Sequence, residues 1–308
     1  MSSTLLAVQV LNGLQLGVLL FLIASGLTLV FGVMNFLNLA HGALFMVGAY
    51  LAVVFYQTSG EFFVALPLAL ICAVGLAMLL EATVLRHFYT ADHLAQLLAT
   101  FGLILILNDA AKAIWGSIPR SLPIPESLDE SIPLFGDLSY PVYRLMVIAV
   151  GLIVAAVLYY IVQHTRFGML VRAGAADGEM LSTLGVDVRK LFMTVLIGGS
   201  ALAALAGILA GPLIAIQPGM GDTVLILAFV VIVIGGAGSI RGAFVAALLV
   251  GLVDTLGRSF ATDFFRLFLS PATANEVGPA VASILIYALM ALVLALRPAG
   301  LFPAPGRT

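Results

Sequence analysis

The sequence predicts an all-α, polytopic integral membrane protein with about eight transmembrane helices and one or more short or re-entrant helices. Hydrophobic residues make up 62% of the 308 residues, and charged residues make up only 9%. The mean hydropathy is +1.19, whereas a soluble domain is about half apolar and about a quarter charged. Apolar runs of about 20 residues, the length that crosses a bilayer core, recur along the chain.

The apolar runs predict the spans in order along the chain. They lie near residues 5–32, 36–56, 62–86, 94–115, 141–163, 191–216, 240–257 and 277–297. A further run at 223–235 would reach only roughly 20 Å at about 1.5 Å per residue, less than a bilayer core of roughly 30 Å. Whether this run spans or re-enters is left open. If it crosses, the chain has nine crossings, with the N-terminus outside and the C-terminus inside.

Basic residues support this orientation, because Lys and Arg accumulate in cytoplasmic loops. The orientation places eight of them inside and five outside. The cytoplasmic set is Arg86, Arg166, Arg172, Arg189, Lys190, Arg241, Arg297 and Arg307, and the external set is Lys112, Arg120, Arg144, Arg258 and Arg266.

Two segments between the spans carry expectations of their own. Residues 116–140 contain four acids and four prolines, which predict an external, turn-rich loop with little regular structure. Residues 259–276 combine phenylalanines with Asp263 and Arg266. This pattern predicts a short amphipathic helix that lies at the outer membrane interface.

The most informative segment is the polar, net basic stretch 164–190, which separates two apolar halves at 1–163 and 191–308. We treat 1–308 as a single transmembrane domain in which this stretch is a cytoplasmic connection. A helix-turn-helix segment of this size on the inner face predicts a surface on which another protein docks.

Polar side chains recur just before the second predicted span. Asn35, Asn38 and His41 are spaced three residues apart, so on a helix they would lie along one face. Polar groups inside a bilayer usually face protein or a watery cavity, which favours a translocation path. The alternative is structural: Asn35 and Asn38 end or cap a helix at the inner interface, and His41 bonds to a neighbouring helix.

Two glycine-containing segments run into helices through similar tripeptides, His41-Gly-Ala and Arg241-Gly-Ala. Interrupted apolar segments at corresponding points of two halves are typical of transporters with internal repeats. Glycine clusters also serve simply to let helices approach closely, so both interpretations stay open.

Charges inside the predicted spans are few. Asp109 with Lys112 and Asp254 with Arg258 are spaced so that each pair can neutralise itself on one helix. Only Glu81 lacks such a neighbour, which argues against a proton or ion relay through the membrane.

Several functional classes find no support in the sequence. There is no phosphate-binding loop and no nucleophile or metalloprotease motif, so we expect no catalytic residues, no metal site and no cofactor. The single Cys72 excludes a disulfide framework, and the absence of a Lys/Arg run argues against nucleic acid as a partner. The N-terminus lacks the charged start of a cleavable signal peptide, so the first span should persist.

Three blocks carry a resemblance to a known family. They are GLTLVFGVMNFLNLAHGALFMVGAY at 26–50, RFGMLVRAGAAD at 166–177 with LGV at 184–186, and GGAGSIRGA at 235–243. In this order the chain resembles the LivH-type permeases of high-affinity branched-chain amino acid ABC importers over nearly its whole length. The resemblance implies a multi-pass subunit of the bacterial inner membrane that is not an enzyme.

The resemblance also implies partners and sites. The partners are a second homologous permease, two cytoplasmic ATPases that hydrolyse ATP, a periplasmic solute-binding protein and membrane lipid. The family's coupling helix, which contacts the ATPase, maps onto Arg166, Val171, Arg172, Ala173, Gly174, Ala175, Ala176, Asp177, Leu184 and Gly185. Gly174 and Gly178 depart from the usual helix formers, so the coupling helix is expected to be short and to end before Gly178.

The solute stays open at this point. Similar permeases serve urea, short amides and aromatic acids, and an ion-coupled secondary transporter is the alternative from another class. Asn35, Asn38 and His41 are the candidate path residues.

Overall fold

The computed structural model describes residues 3–135 and 138–302. Within them eleven α-helices and one two-stranded hairpin form. The helices are α1 (Ser3–Met34), α2 (His41–Ser59), α3 (Phe62–Thr83), α4 (His93–Trp115), α5 (Val142–His164), α6 (Arg166–Ala176), α7 (Gly178–Thr183), α8 (Val188–Ala210), α9 (Met220–Gly235), α10 (Ile240–Phe265) and α11 (Pro271–Leu296), and the strands are β1 (Ser131–Phe135) and β2 (Leu138–Pro141).

The helices confirm the predicted membrane architecture. Eight of them are long and apolar enough to cross a bilayer, and α9 is a shorter apolar helix. Each long helix corresponds to one predicted run, because hydropathy over about 20 residues is a strong signal for a span. The chain is therefore a multi-pass, all-α membrane protein.

Contacts between helix ends fit the connectivity with nine crossings. At one face the segment after α11 reaches the end of α9, where the Leu301 amide donates to the Ile234 carbonyl at 2.8 Å. At the opposite face the Tyr143 hydroxyl of α5 donates to the Leu209 carbonyl at the end of α8. Two residues lie outside the described part of the chain: Arg307, which is predicted to be cytoplasmic, and Asp137, one of the four acids of the predicted external loop.

Helix α1 forms the centre of the bundle, and 83% of its most apolar window is buried. Its glycines allow close approach: Gly26 lies against the backbone of Gly199 on α8, and Gly17 lies against Leu248 on α10. Small residues at such crossings let helix backbones pack tightly in a membrane. By contrast, α11 buries only 17% of its window, so most of its apolar face is available to lipid or to another subunit.

Three expectations need correction. Residues 35–40 are not helical, so Asn35, Asn38 and His41 do not lie on one helical face. Helix α10 continues to Phe265 and α11 begins at Pro271, so no separate interfacial helix forms over 259–276. The external loop contains the β1–β2 hairpin, in which Ile132 pairs with Tyr140.

Each correction has a physical reason. Asn35 adopts a left-handed conformation with φ of 50°, and Asn is one of the residues that tolerate this conformation at a helix end. The helical period continues through Arg258 and Thr262, so α10 has no break before Phe265. Prolines are compatible with strands at a sheet edge, and Pro133 and Pro141 both lie in this two-stranded hairpin.

Candidate functional site

Two helices begin at one point inside the bundle. Gly42, in the first turn of α2, lies against the backbone of Gly221, in the first turn of α9. The neighbouring His41 is fully buried, and its Nε2 lies 3.1 Å from the Ile23 carbonyl of α1. Because Ile23 lies about three turns before the end of α1, this junction lies well inside the length of the α1 span.

Asn38 is the most unusual polar residue at this junction. It is 1% exposed, and neither its amide nitrogen nor its amide oxygen has a hydrogen-bond partner within the described chain. A buried polar group without a partner costs about 1–3 kcal/mol. The Nδ1 atom of His41 is also buried and has no hydrogen-bond partner within the described chain. Both residues therefore offer hydrogen-bonding capacity inside the bundle.

The structure separates Asn35 from the other two candidates. Asn35 is exposed at the end of α1, and its amide nitrogen lies 3.3 Å from the His93 Nε2 at the start of α4. Its backbone amide donates to the Phe31 carbonyl, which completes the last turn of α1. This position agrees with the structural alternative for Asn35, a residue that ends a helix.

A polar pair that sequence reasoning missed lies beside the junction. Asn108 of α4 donates to Asp222 of α9 at 3.2 Å, and the other carboxylate oxygen of Asp222 has no partner within the described chain. Asp222 follows Gly221 directly, so the pair connects α4 to the junction. Polar residues within apolar runs were the available signal, but nothing local indicates that positions so far apart in sequence meet.

The two predicted ion pairs form, whereas Glu81 has a neutral hydrogen-bond donor. Asp109 lies 3.0 Å from Lys112, and Asp254 lies 2.8 Å from Arg258. Glu81 is buried and accepts a hydrogen bond from the Tyr89 hydroxyl at 2.9 Å. The pKa of Tyr89 is raised well above its ordinary value. Burial is the main cause, and the hydrogen bond to Glu81 is the second.

The connection 164–190, predicted to be cytoplasmic, folds into the two short helices α6 and α7. As expected, α6 ends at Ala176, before Gly178. Of the candidate coupling residues, Val171 and Gly174 are buried and Ala173 is half-buried, while Arg166, Arg172, Ala175, Ala176, Asp177, Leu184 and Gly185 are exposed. Most of the candidates are therefore individually accessible.

Buried residues of α6 attach this segment to the transmembrane core. Gly174 faces Leu191 at the start of α8 and Val33 near the end of α1. Leu181 of α7 packs in the same place and is 6% exposed. A displacement of α6 would therefore act directly on α1 and α8.

Three large apolar residues of the same segment are also exposed. The exposed fractions of Met169, Met180 and Leu184 are 55%, 61% and 72%. We define these three residues as the cytoplasmic apolar patch. Sequence reasoning identified Leu184 but missed the two methionines. The buried face of α6 consists of Gly168, Val171 and Gly174, and Met169 is not on it.

Acidic and hydroxyl side chains cap the helices of this segment. Thr165 accepts from the Gly168 amide, Asp177 from the Met180 amide at 2.9 Å, and Asp187 from the Lys190 amide. Hydrogen bonds from the Lys190 amide and side chain lower the pKa of Asp187. These caps stabilise the first turn of each helix.

Arg172 also has a role within the chain. It is exposed, and its guanidinium donates to the Val162 carbonyl in the last turn of α5. A guanidinium has five N–H donors, so this contact leaves other donors available. Arg172 therefore connects α6 to α5 while it remains accessible.

Comparisons with known proteins agree with this architecture. The family model described as branched-chain amino acid transport system / permease component matches residues 9–294. The chain is 28% identical over 311 residues to the high-affinity branched-chain amino acid transport system permease protein BraD of Pseudomonas aeruginosa, covering 96% of this chain and 95% of that protein.

Two further relatives extend the similarity. The chain is 27% identical over 312 residues to the high-affinity branched-chain amino acid transport system permease protein LivH of Escherichia coli, covering 96% of this chain and 95% of that protein. It is 29% identical over 263 residues to a probable branched-chain amino acid transport permease protein LivH of Methanocaldococcus jannaschii, covering 80% and 81%. No solved structure matches this chain.

Proposed function

Because the chain belongs to the family of permease components of branched-chain amino acid transport systems, we propose that it is the inner-membrane permease subunit of an ABC importer. Its solutes are branched-chain or related aliphatic amino acids. The family is one of transport permeases, and the proposed subunit forms part of the solute path without catalysing a reaction itself.

The observation that carries this proposal is the cytoplasmic apolar patch on a segment fixed to the core. Exposed apolar groups on a cytoplasmic surface are typical of a protein interface. Gly174 anchors the same segment against Val33 and Leu191, and Val171 of the same helix is buried. We propose that an ATPase subunit covers Met169, Met180 and Leu184 and moves α6 when it binds nucleotide.

A series of contacts leads from this surface to the junction of α2 and α9. Helix α6 lies against α1 and α8, and these two helices meet where Gly26 contacts Gly199. The ring of His41 lies against Gly26 at the same place. A relative shift of α1 and α8 would therefore change the surroundings of His41, and nucleotide affects access to the path only through such differential contacts.

The polar groups of the junction are suited to binding an amino-acid solute. Asn38 and His41 offer unpartnered groups, and the first turns of α2 and α9 present the positive ends of two helix dipoles. Interrupted helices that begin near the membrane midplane bind the carboxylate of the substrate in some transporters. We propose that the solute passes this junction.

The subunit works with other components of its transport system. We propose a second homologous permease, two cytoplasmic ATPase subunits that hydrolyse ATP, and a periplasmic binding protein that delivers the solute. The permease itself binds no cofactor in this proposal. Much of the selection among solutes is assigned to the binding protein.

The test is uptake by the assembled importer in proteoliposomes, with leucine, urea and phenylalanine as alternative solutes. The wild-type complex should take up leucine in an ATP-dependent manner. Met180→Asp and Leu184→Asp should each reduce uptake at least about tenfold, because a charge is placed in an apolar interface. Ile118→Asp is the matched control, because Ile118 is 80% exposed and lies in the loop 116–140, which is predicted to be external.

Each result has a defined meaning. Loss of uptake in both patch variants, with the Ile118→Asp complex active, supports the coupling surface. Full uptake by both patch variants would contradict it. ATP-independent uptake of leucine by this chain alone, driven by an ion gradient, would contradict the importer itself.

A further inference from the structure

A cavity of about 480 Å³ opens at the cytoplasmic end of the bundle, between α1, α5, α6 and the start of α10. Arg172 of α6 and Arg241 of α10 both line it, together with Ser239. Among the described residues that line this cavity none is acidic. The cavity is therefore positively charged, and we call it the basic cavity.

A buried hydroxyl group adds hydrogen-bonding capacity to the basic cavity. Thr28 of α1 lines the cavity and is 0% exposed. Its hydroxyl oxygen has no hydrogen-bond partner within the described chain. Polar groups buried in this way are normally satisfied by a partner, so the cavity is suited to a ligand with hydrogen-bond acceptors.

A second cavity, also of about 480 Å³, adjoins the first, and the two share Tyr159, Ile240, Arg241 and Phe302 in their linings. The second cavity is almost entirely apolar: Leu152 and Ala156 of α5 and Phe244 of α10 form its walls, and Phe21 of α1 lies at its base. We call it the apolar groove. It exists because α5 and α10 both pack on α1 but barely touch each other.

Arg241 lies where the two cavities meet and lines both of them. The Tyr159 ring holds it in place, with the guanidinium carbon 5.0 Å from the ring centre and a hydrogen bond to the Tyr159 hydroxyl. This leaves a positive charge at the cytoplasmic end of an apolar groove. The arrangement matches a molecule with an anionic head and an apolar chain.

We propose that the two cavities together bind one anionic phospholipid of the cytoplasmic leaflet. The phosphate binds Arg241 and Arg172, and one acyl chain follows the apolar groove between α5 and α10. Basic pockets between helices at the cytoplasmic side are suited to acidic headgroups. A free anion would leave the apolar groove unfilled, and a neutral lipid would leave the arginine charges uncompensated.

This lipid would join three parts of the subunit. Its phosphate contacts α6 through Arg172 and α10 through Arg241, while its chain contacts α5. Bound lipid would thus hold α6 against the transmembrane helices.

The test is lipid retention by the detergent-purified importer complex, measured by native mass spectrometry. Phosphatidylglycerol and phosphatidylcholine with identical acyl chains are added in turn. The wild-type complex should retain phosphatidylglycerol in preference. Arg241→Gln should weaken this retention about tenfold, because it removes a charge-assisted contact, and Ala156→Trp should reduce retention by filling the groove.

Arg86→Gln is the matched control, since Arg86 is exposed, is placed on the same cytoplasmic side and does not line either cavity. It should retain the lipid like wild type. If Arg241→Gln fails to assemble, Arg241→Lys keeps the charge and should retain more lipid than Ala156→Trp.

Three outcomes would overturn the proposal. Equal retention of the two lipids would show that Arg241 and Arg172 do not select an anionic headgroup. Displacement of the lipid by inorganic phosphate, with no effect of Ala156→Trp, would indicate a phosphate site. Cross-linking of a Leu152→Cys variant to another protein subunit, in place of lipid, would identify the groove as a subunit interface.

Discussion

Gly42 and Gly221 bring the first turns of α2 and α9 into direct backbone contact. A Cβ atom built on Gly42 would lie 2.5 Å from the Gly221 carbonyl oxygen, closer than real Cβ contacts allow. In the predicted orientation, α2 runs from this point to the external side and α9 runs to the cytoplasmic side. The contact therefore fixes where two interrupted helices meet inside the membrane.

Gly42→Ala should destabilise the subunit by about 1–3 kcal/mol, since an added methyl group overpacks a close helix contact. Because the junction also lies on the proposed path, uptake should fall in the folded complexes that remain. Thermal unfolding and uptake are measured on the same preparation.

Gly75→Ala is the matched control, because Gly75 is also a helical glycine but has nothing within 4 Å of an added Cβ. Alanine favours a helix over glycine by up to about 1 kcal/mol, so stability should be unchanged or slightly higher. Equal effects of the two substitutions would show that helix propensity, and not the Gly42 contact, determines the result.

Asp177→Asn tests the charge at the proposed coupling surface. Asparagine caps a helix about as well as aspartate, so the Met180 amide keeps its acceptor while the charge is lost. If Asp177 contacts a basic residue of the ATPase, ATP hydrolysis stimulated by the binding protein should fall about fivefold, which corresponds to about 1 kcal/mol.

Asp187→Asn provides the comparison for Asp177→Asn. Asp187 is another exposed acid that caps a helix of the same segment, and it lies outside the proposed coupling residues. It should leave stimulated hydrolysis unchanged. If Asp177→Ala reduces hydrolysis and Asp177→Asn does not, Asp177 acts only as a helix cap.

Cysteine labelling tests the orientation of the chain. In a Cys72→Ala background, cysteines at Ser127 or Ser131 should react with an impermeant maleimide from outside, and cysteines at Gly178 or Ser182 only after permeabilisation. All four positions lie in or beside connecting segments, and the basic residues of 164–190 motivate the assignment. The opposite labelling pattern would reverse the orientation and place the cytoplasmic apolar patch on the wrong side for an ATPase.

The sequence predicted the long spans well, because one property, apolar length, determines them. It separated the first two spans but started the second at residue 36, whereas α2 begins at His41. Asn35 and Asn38 recur at a helical spacing, and no proline or glycine interrupts residues 35–40. The left-handed Asn35 ends α1 at a residue that tolerates this conformation, so a local signal existed but was outweighed by the periodicity.

Contacts between positions far apart in the chain could not be predicted from a single sequence. Asn108 of α4 and Asp222 of α9 meet through one side-chain hydrogen bond, and nothing distinguishes either residue within its own apolar run. The cytoplasmic apolar patch is similar, because the exposure of Met180 depends on how α7 packs against α8. Short-range rules predict helices and caps, whereas the site depends on helix packing.

The remaining prediction concerns Asn38, whose buried amide is unpartnered in the described chain. If Asn38 is only structural, Asn38→Leu replaces an unpaired polar group with an apolar one of similar size. Stability should then be equal or higher, with uptake unchanged. If Asn38 lines the path, the folded complex should persist with equal stability while uptake falls, because the solute loses a hydrogen-bonding group.

Tyr50→Phe is the control for Asn38→Leu, since Tyr50 lies on α2 and also has a buried hydroxyl without a partner in the described chain. This substitution should preserve both stability and uptake. His41→Ala gives the contrasting case: loss of the contact with the Ile23 carbonyl and of buried volume should lower stability by about 2–4 kcal/mol. Stable and fully active Asn38→Leu and His41→Ala complexes would rule out a path at this junction, whereas inactive but folded Asn38→Leu complexes would support it.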